Sequence, residues 1–138
     1  QKTRQTVLSS KNPFFYQGTV AQGIGGPHVG TNMTWPMSII LRAMTSNDEE
    51  EIKTCLNMLV TNTAGTGFMH ESFNVDNSND YTRSWFAWAN GLFGELILQL
   101  IVTHPTLVLV NDAEAIKTAQ SLVKTPIVIE AQANVLYK

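Results

Sequence analysis

The stretch between Thr82 and Pro105 constrains this chain more than any other part of it. Apolar residues fall on most sides of its helical projection, and no proline interrupts it before Pro105. The pattern predicts a helix over 83–103 with Thr82 as its N-cap. A helix apolar on most sides is stable in water only when neighbours cover more than one of its faces. The chain has 138 residues, 43% of them hydrophobic, enough for one domain or a piece of one. The most apolar run, Leu92 to Val102, is interrupted by Glu95 and Gln99. It is also shorter than the roughly 20 apolar residues that a membrane span needs, so no membrane span is expected.

Around that helix the sequence spaces out further ones. Pro36 can open a helix, with Met37, Ile40, Leu41 and Met44 recurring at helical spacing behind it. Ser46-Asn47-Asp48-Glu49 reads as a capping box with Ser46 as cap, followed by an apolar face of Ile52, Cys55, Leu56, Leu59 and Val60 and stopped by Gly65 and Gly67. Asp112 can cap an amphipathic helix through Val123. Residues 9–34 and 66–81 read as loops, the second ending in the turn-rich run Asp76-Asn77-Ser78-Asn79-Asp80. The expectation is an all-α chain with helices over 36–45, 47–63, 83–103 and 113–123. Ile127, Val128 and Ile129 are too few to decide between a strand and extended packing.

Charge and cysteine content exclude several function classes. The net charge is −2 and the basic residues are scattered, so nucleic acid is not an expected partner. A single cysteine, Cys55, rules out an internal disulfide and a cysteine-based zinc cage, and its apolar neighbours make it a core thiol. The chain starts at Gln1 without a signal-peptide pattern and reads as a processed or excised segment, so its compartment stays open.

Three segments could carry chemistry. Gly23-Ile24-Gly25-Gly26-Pro27-His28 lacks the Lys-Ser/Thr ending of a phosphate loop and no apolar strand precedes it. Its glycines suit close approach of the backbone to a ligand, with His28 presented by the turn, or a plain turn with a solvent-facing histidine. Met69-His70-Glu71-Ser72-Phe73 sets a carboxylate beside a histidine without the second histidine of the metalloprotease pattern, so no metal is expected. Glu71 suits general-base work, or is a solvated loop carboxylate. Arg83-Ser84-Trp85-Phe86-Ala87-Trp88-Ala89-Asn90 opens the long helix. Its tryptophans are either stacked core aromatics or a platform for the apolar face of a sugar, with Arg83 and Asn90 reaching hydroxyls. Glu95 is a weaker carboxylate candidate, more naturally paired with Arg83, Arg42 or a backbone group.

Taken in order, these blocks, together with Ser10-Lys11-Asn12-Pro13-Phe14-Phe15, Trp35-Pro36-Met37 and Ala64-Gly65-Thr66-Gly67-Phe68, closely resemble the C-terminal third of glycoside hydrolase family 125. The likeness runs from about Val7 to about Leu100, and residues 101–138 carry no matching signature. The resemblance implies that residues 1–138 are the C-terminal active-site portion of a six-hairpin (α/α) toroid. It further implies hydrolysis of terminal α-1,6-linked mannose with inversion and no metal or other cofactor. Glu71 matches the family's base, and His28, His70, Arg83 and Trp88 fall in blocks that line the sugar site. The family's general acid is an aspartate upstream of every block present here. A working site is therefore expected to need the missing N-terminal part of the domain and a mannose-containing oligosaccharide. The rival readings are a catalytically inert carbohydrate-binding relative and a helical scaffold fragment.

Overall fold

The computed structural model describes residues 2–109 and 112–123. In chain order its elements are α1 (Lys2–Val7), β1 (Phe15–Gln17), β2 (Gln22–Ile24), β3 (Met33–Thr34), α2 (Pro36–Met44), α3 (Glu49–Thr61), β4 (Ser72–Asn74), β5 (Asn77–Thr82), α4 (Ala87–Thr103), α5 (Pro105–Val108) and α6 (Ala113–Val123). The segment Ile127–Ile129 lies outside the described residues.

Local chemistry explains where the helices begin. Pro36 takes the first position of α2, where its missing N–H leaves no bond unmade. Asp48, rather than Ser46, caps α3: its carboxylate accepts the N–H groups of Glu50 and Glu51 at 3.0 and 3.4 Å. The Ser46 hydroxyl donates instead to Glu51 at 2.6 Å, so the helix starts at Glu49. Asp112 caps α6 as expected, accepting from the Ala115 N–H at 2.8 Å. The long helix α4 starts at Ala87 because Thr82 is the last residue of β5. Arg83 then takes φ 45°, which ends the strand without starting the helix.

The chain is not all-α, and this corrects the reading of it as helical hairpins alone. Two antiparallel sheets occupy the segments expected to be loops. In one, β1 pairs with β2, with Tyr16 opposite Gly23. In the other, the order is β3-β4-β5, with Thr34 opposite Phe73 and Ser72 opposite Thr82. The Val75 carbonyl joins the two by accepting the Val20 and Ala21 N–H groups at 2.9 and 3.2 Å. The strands escape a sequence reading because they are short and mostly polar. The Asn74 and Asn77 side chains each accept an N–H two residues on, turning the β4–β5 connection. Burial of Phe73, Val75, Met33 and Thr34 supplies what strand propensity does not.

The core lies between α2, α3, α4 and the inner side of β4. Ile39, Ile40, Ile52, Cys55, Leu59, Phe73, Leu96 and Leu100 are its buried residues of substance. Cys55 is a core thiol, its pKa pushed up by burial to about 11. The α4 helix buries only Ala89, Leu96 and Leu100, while Leu98 and Val102 stand 65% and 41% exposed. One face of α4 is thus covered within the described residues and another is bare. None of the described helices is long and apolar enough to cross a membrane.

A charged cluster ties α1 to the helices below it. Arg4 reaches Glu51 at 2.6 Å and the Arg42 carbonyl at 3.0 Å, and Arg42 reaches the other Glu51 oxygen at 2.8 Å. Burial pushes the Glu51 carboxyl upward, but the Ser46 hydroxyl and the two guanidiniums outweigh it and hold the group at about 2. A depressed carboxyl stabilises the fold above its ordinary value of 4.5, and that contribution fades as the pH falls toward 2. The Glu51→Gln variant is expected to unfold with about 1–3 kcal/mol less stability at pH 7, since the pair is only partly exposed. Near pH 2 the gap should close. Urea titration at both pH values checks this, and equal losses at both would sink the account.

Candidate active site

The register of the three-stranded sheet sets the site. Thr34 lies opposite Phe73, so Trp35 leaves the sheet at the end where Glu71 enters it. Ser72 lies opposite Thr82, so Arg83 leaves at that same end. Both exits lead directly into helix starts, α2 after Trp35 and α4 after Phe86. Sheet topology thus brings residues distant in sequence to one edge.

At that edge Glu71 and Arg83 meet. The Arg83 Nε lies 3.2 Å from one Glu71 oxygen, with the Glu71 side chain 18% exposed and that of Arg83 66% exposed. Among the described residues the other carboxylate oxygen has no partner, so it is free to accept from a water. The Glu71 N–H donates to the Thr82 carbonyl at 3.2 Å, extending the β4–β5 ladder by one residue. The Arg83 backbone sits in the left-handed region, which costs a non-glycine residue roughly 1 kcal/mol or more and is found most often at functional sites. Its guanidinium carbon stands 5.7 Å from the centre of the Phe86 ring.

His70 is inside rather than on the rim, only 1% exposed. Its ring stacks on Tyr81 with centroids 3.9 Å apart. Its Nδ1 is 2.9 Å from the Ser84 carbonyl, and because a carbonyl only accepts, Nδ1 carries the proton. Nε2 is buried without a partner among the described residues.

The other sequence candidates lie further out. His28 is exposed and near Trp35, ring centroids 5.7 Å apart, and forms no ion pair with Glu71 among the described residues. Trp88 sits in the first turn of α4 and is 69% exposed. Trp85 precedes the helix and is 57% exposed, so neither tryptophan is a core aromatic of this chain. Glu95 is exposed and forms no ion pair among the described residues. Asn90 has no free N–H to offer a hydroxyl, because both Nδ2 protons go to the Met69 and Phe86 carbonyls while Oδ1 accepts the Met69 N–H.

The glycine motif has a different use from the one its spelling suggests. A Cβ on Gly25 would lie 1.9 Å from the Met33 carbonyl oxygen, and one on Gly26 would lie 2.6 Å from the Trp35 indole. The glycines let β2 and its following turn press against β3 and Trp35, rather than against a ligand. A cavity of about 480 Å³ opens beside Trp35, between α1 and α2, with Val7, Leu8, Ile24 and Leu41 among its walls. No carboxylate lines it, so it is a hydrophobic seat and not the place for acid–base chemistry. No cluster of three or more His, Cys, Asp or Glu side chains suited to a metal occurs among the described residues.

Comparison with known proteins bears on the family of this chain. Residues 1–98 match the family described as metal-independent alpha-mannosidase (GH125). The Meiotically up-regulated gene 157 protein of Schizosaccharomyces pombe is 50% identical over 110 residues, which cover 79% of this chain and 22% of that protein. A solved metal-independent α-mannosidase from Streptococcus pneumoniae, in a non-productive substrate complex with α-1,6-mannobiose, is 47% identical. It superposes with a TM-score of 0.70 over 72% of this chain and 23% of its own. The chain therefore spans less than a quarter of either relative. With the family's pattern running through well over half of its residues, this chain belongs to the metal-independent α-mannosidases of glycoside hydrolase family 125.

Proposed function

We propose that this chain forms the water-activating side of an α-mannosidase active site, with Glu71 as the general base. The observation that carries this is the carboxylate of Glu71 where the chain enters the central strand β4, one oxygen held by Arg83 and the other unpartnered among the described residues. Arg83 fixes the orientation of the carboxylate, and the free oxygen is left to take a proton from water. In an inverting glycosidase a second carboxyl group, in acid form, protonates the departing oxygen from the opposite face of the sugar. The two groups then stand roughly 6.5–9.5 Å apart, which leaves room for the attacking water. An upstream segment of the same domain supplies that acid in this reading.

The remaining candidates surround the base. Trp88 offers an indole face for the apolar side of a pyranose, and Arg83 keeps guanidinium N–H groups for its hydroxyls. His28 stands at the Trp35 end of the same edge as an outer contact. His70 supports from beneath, with Nε2 as its one uncommitted atom. The substrate is a terminal α-1,6-linked mannose at the non-reducing end of an oligosaccharide.

The test is to give α-1,6-linked mannobiose to the enzyme that contains this chain and to follow the fresh product by NMR. β-Mannose is expected first. Early α-mannose would overturn inversion. No release from a folded protein that still binds the sugar would overturn the enzyme reading in favour of a carbohydrate-binding role.

A further inference from the structure

We propose that Asn90 is a positioning residue for Glu71, an inference that rests on the assignment of Glu71 as base. The chain reaches the site through Gly65 and Gly67, both at φ 74°, so the approach to Glu71 is a turn and not a continuing strand. Something must fix where that turn delivers the carboxylate. Asn90 is placed to do so. Its Oδ1 accepts the Met69 N–H at 3.1 Å, and its Nδ2 donates to the Met69 carbonyl at 2.8 Å. The second Nδ2 proton goes to the Phe86 carbonyl at 2.8 Å, one turn back on α4. The Phe86 N–H donates to the same Met69 carbonyl at 3.1 Å.

The side chain thus imitates a neighbouring strand, holding the peptide groups of Met69 on both sides. Two more links follow in sequence. His70 bonds the Ser84 carbonyl and stacks on Tyr81, and the Glu71 N–H bonds the Thr82 carbonyl. Three consecutive residues are each fastened to the segment that carries Arg83 and opens α4. Asn90 is the only one of these fasteners that lies on the helix itself, so it transmits the position of α4 to the base. Both Nδ2 protons are committed, which leaves the amide no donor for a sugar hydroxyl.

Two substitutions separate this role from a merely structural one. Asn90→Ala removes all three side-chain bonds. Asn90→Ser keeps a hydroxyl able to bond the Phe86 carbonyl four residues back, and loses only the hold on Met69. Both are expected to lower kcat on α-1,6-linked mannobiose by about 10–100-fold with KM within about 3-fold, since a displacement near 1 Å costs on that scale. In a Glu71→Gln background the same substitutions should lower the residual rate no further, because a residue acting through Glu71 has nothing left to position. Full additivity in that cycle, or a rise in KM at unchanged kcat, overturns the proposal. Loss of folding in both Asn90 variants overturns it in favour of a structural role, while a folded Asn90→Ser decides alone if Asn90→Ala does not fold. Full activity in Glu71→Gln itself overturns the base assignment and this proposal with it. Loss there beside unaffected Asn90 variants overturns positioning alone.

Discussion

With Glu71 as the proposed base, Glu71→Gln in the full-length protein is expected to lower kcat on α-1,6-linked mannobiose by at least about 10²–10⁴-fold, the range that general-base catalysis supplies. Glutamine keeps the length and planarity of the side chain and can still offer one oxygen to Arg83. It cannot take a proton from water. The Glu71 N–H would still donate to the Thr82 carbonyl, so the sheet edge stays intact. The pair with Arg83 contributes little stability to lose, because the guanidinium side chain is 66% exposed. Unfolding temperature and KM should therefore stay near wild type while kcat collapses. Wild-type kcat in the variant would remove Glu71 from the mechanism. A matching fall in thermal stability would instead mark it as structural.

The second large effect is on folding, from a single methyl group. Gly25→Ala would set a Cβ 1.9 Å from the Met33 carbonyl oxygen, far inside contact distance, and both partners are backbone. No rotamer change can relieve it, so β2 and β3 must separate. Their separation strains the Trp35 N–H bond to the Ile24 carbonyl, 3.0 Å in the intact fold. The expected loss is about 3 kcal/mol or more, at or above the upper end of ordinary overpacking. Urea unfolding followed by far-UV circular dichroism measures it. A loss below about 1 kcal/mol would mean that the close approach is not a requirement of the fold.

The helices were legible because their signals are local. Pro36 at a helix start, Asp112 as a cap and the spacing of Ile52, Cys55 and Leu59 each act within a turn or two of chain. The strands were not, because β3 is two residues long and β5 is nearly all polar. What makes them strands is the pairing of Thr34 with Phe73, and no window along the sequence contains both. The same holds at the site. Glu71 and Arg83 stand out by residue type and by family likeness, but their contact depends on the register of β4 against β5. Asn90 was open to reading as a sugar ligand by its residue type. Only the fold shows both of its Nδ2 protons taken by Met69 and Phe86. The glycine motif stayed open in a similar way, since close approach is written identically whether the neighbour is a ligand or the chain's own next strand.

The three tryptophans of this chain give it a built-in optical bias. Trp35 and Trp85 flank helix starts and Trp88 lies in the first turn of α4, while the buried core contains none of them. Indole emission from these residues therefore reports the sheet edge and its surroundings. Trp85 and Trp88 already meet solvent in the folded chain, at 57% and 69% exposure, so unfolding changes their surroundings little. A sugar seated beside them, as proposed for Trp88, would change those surroundings directly. Emission from Trp85 and Trp88 would thus follow occupancy of the proposed site and report core melting poorly, which backbone dichroism follows instead.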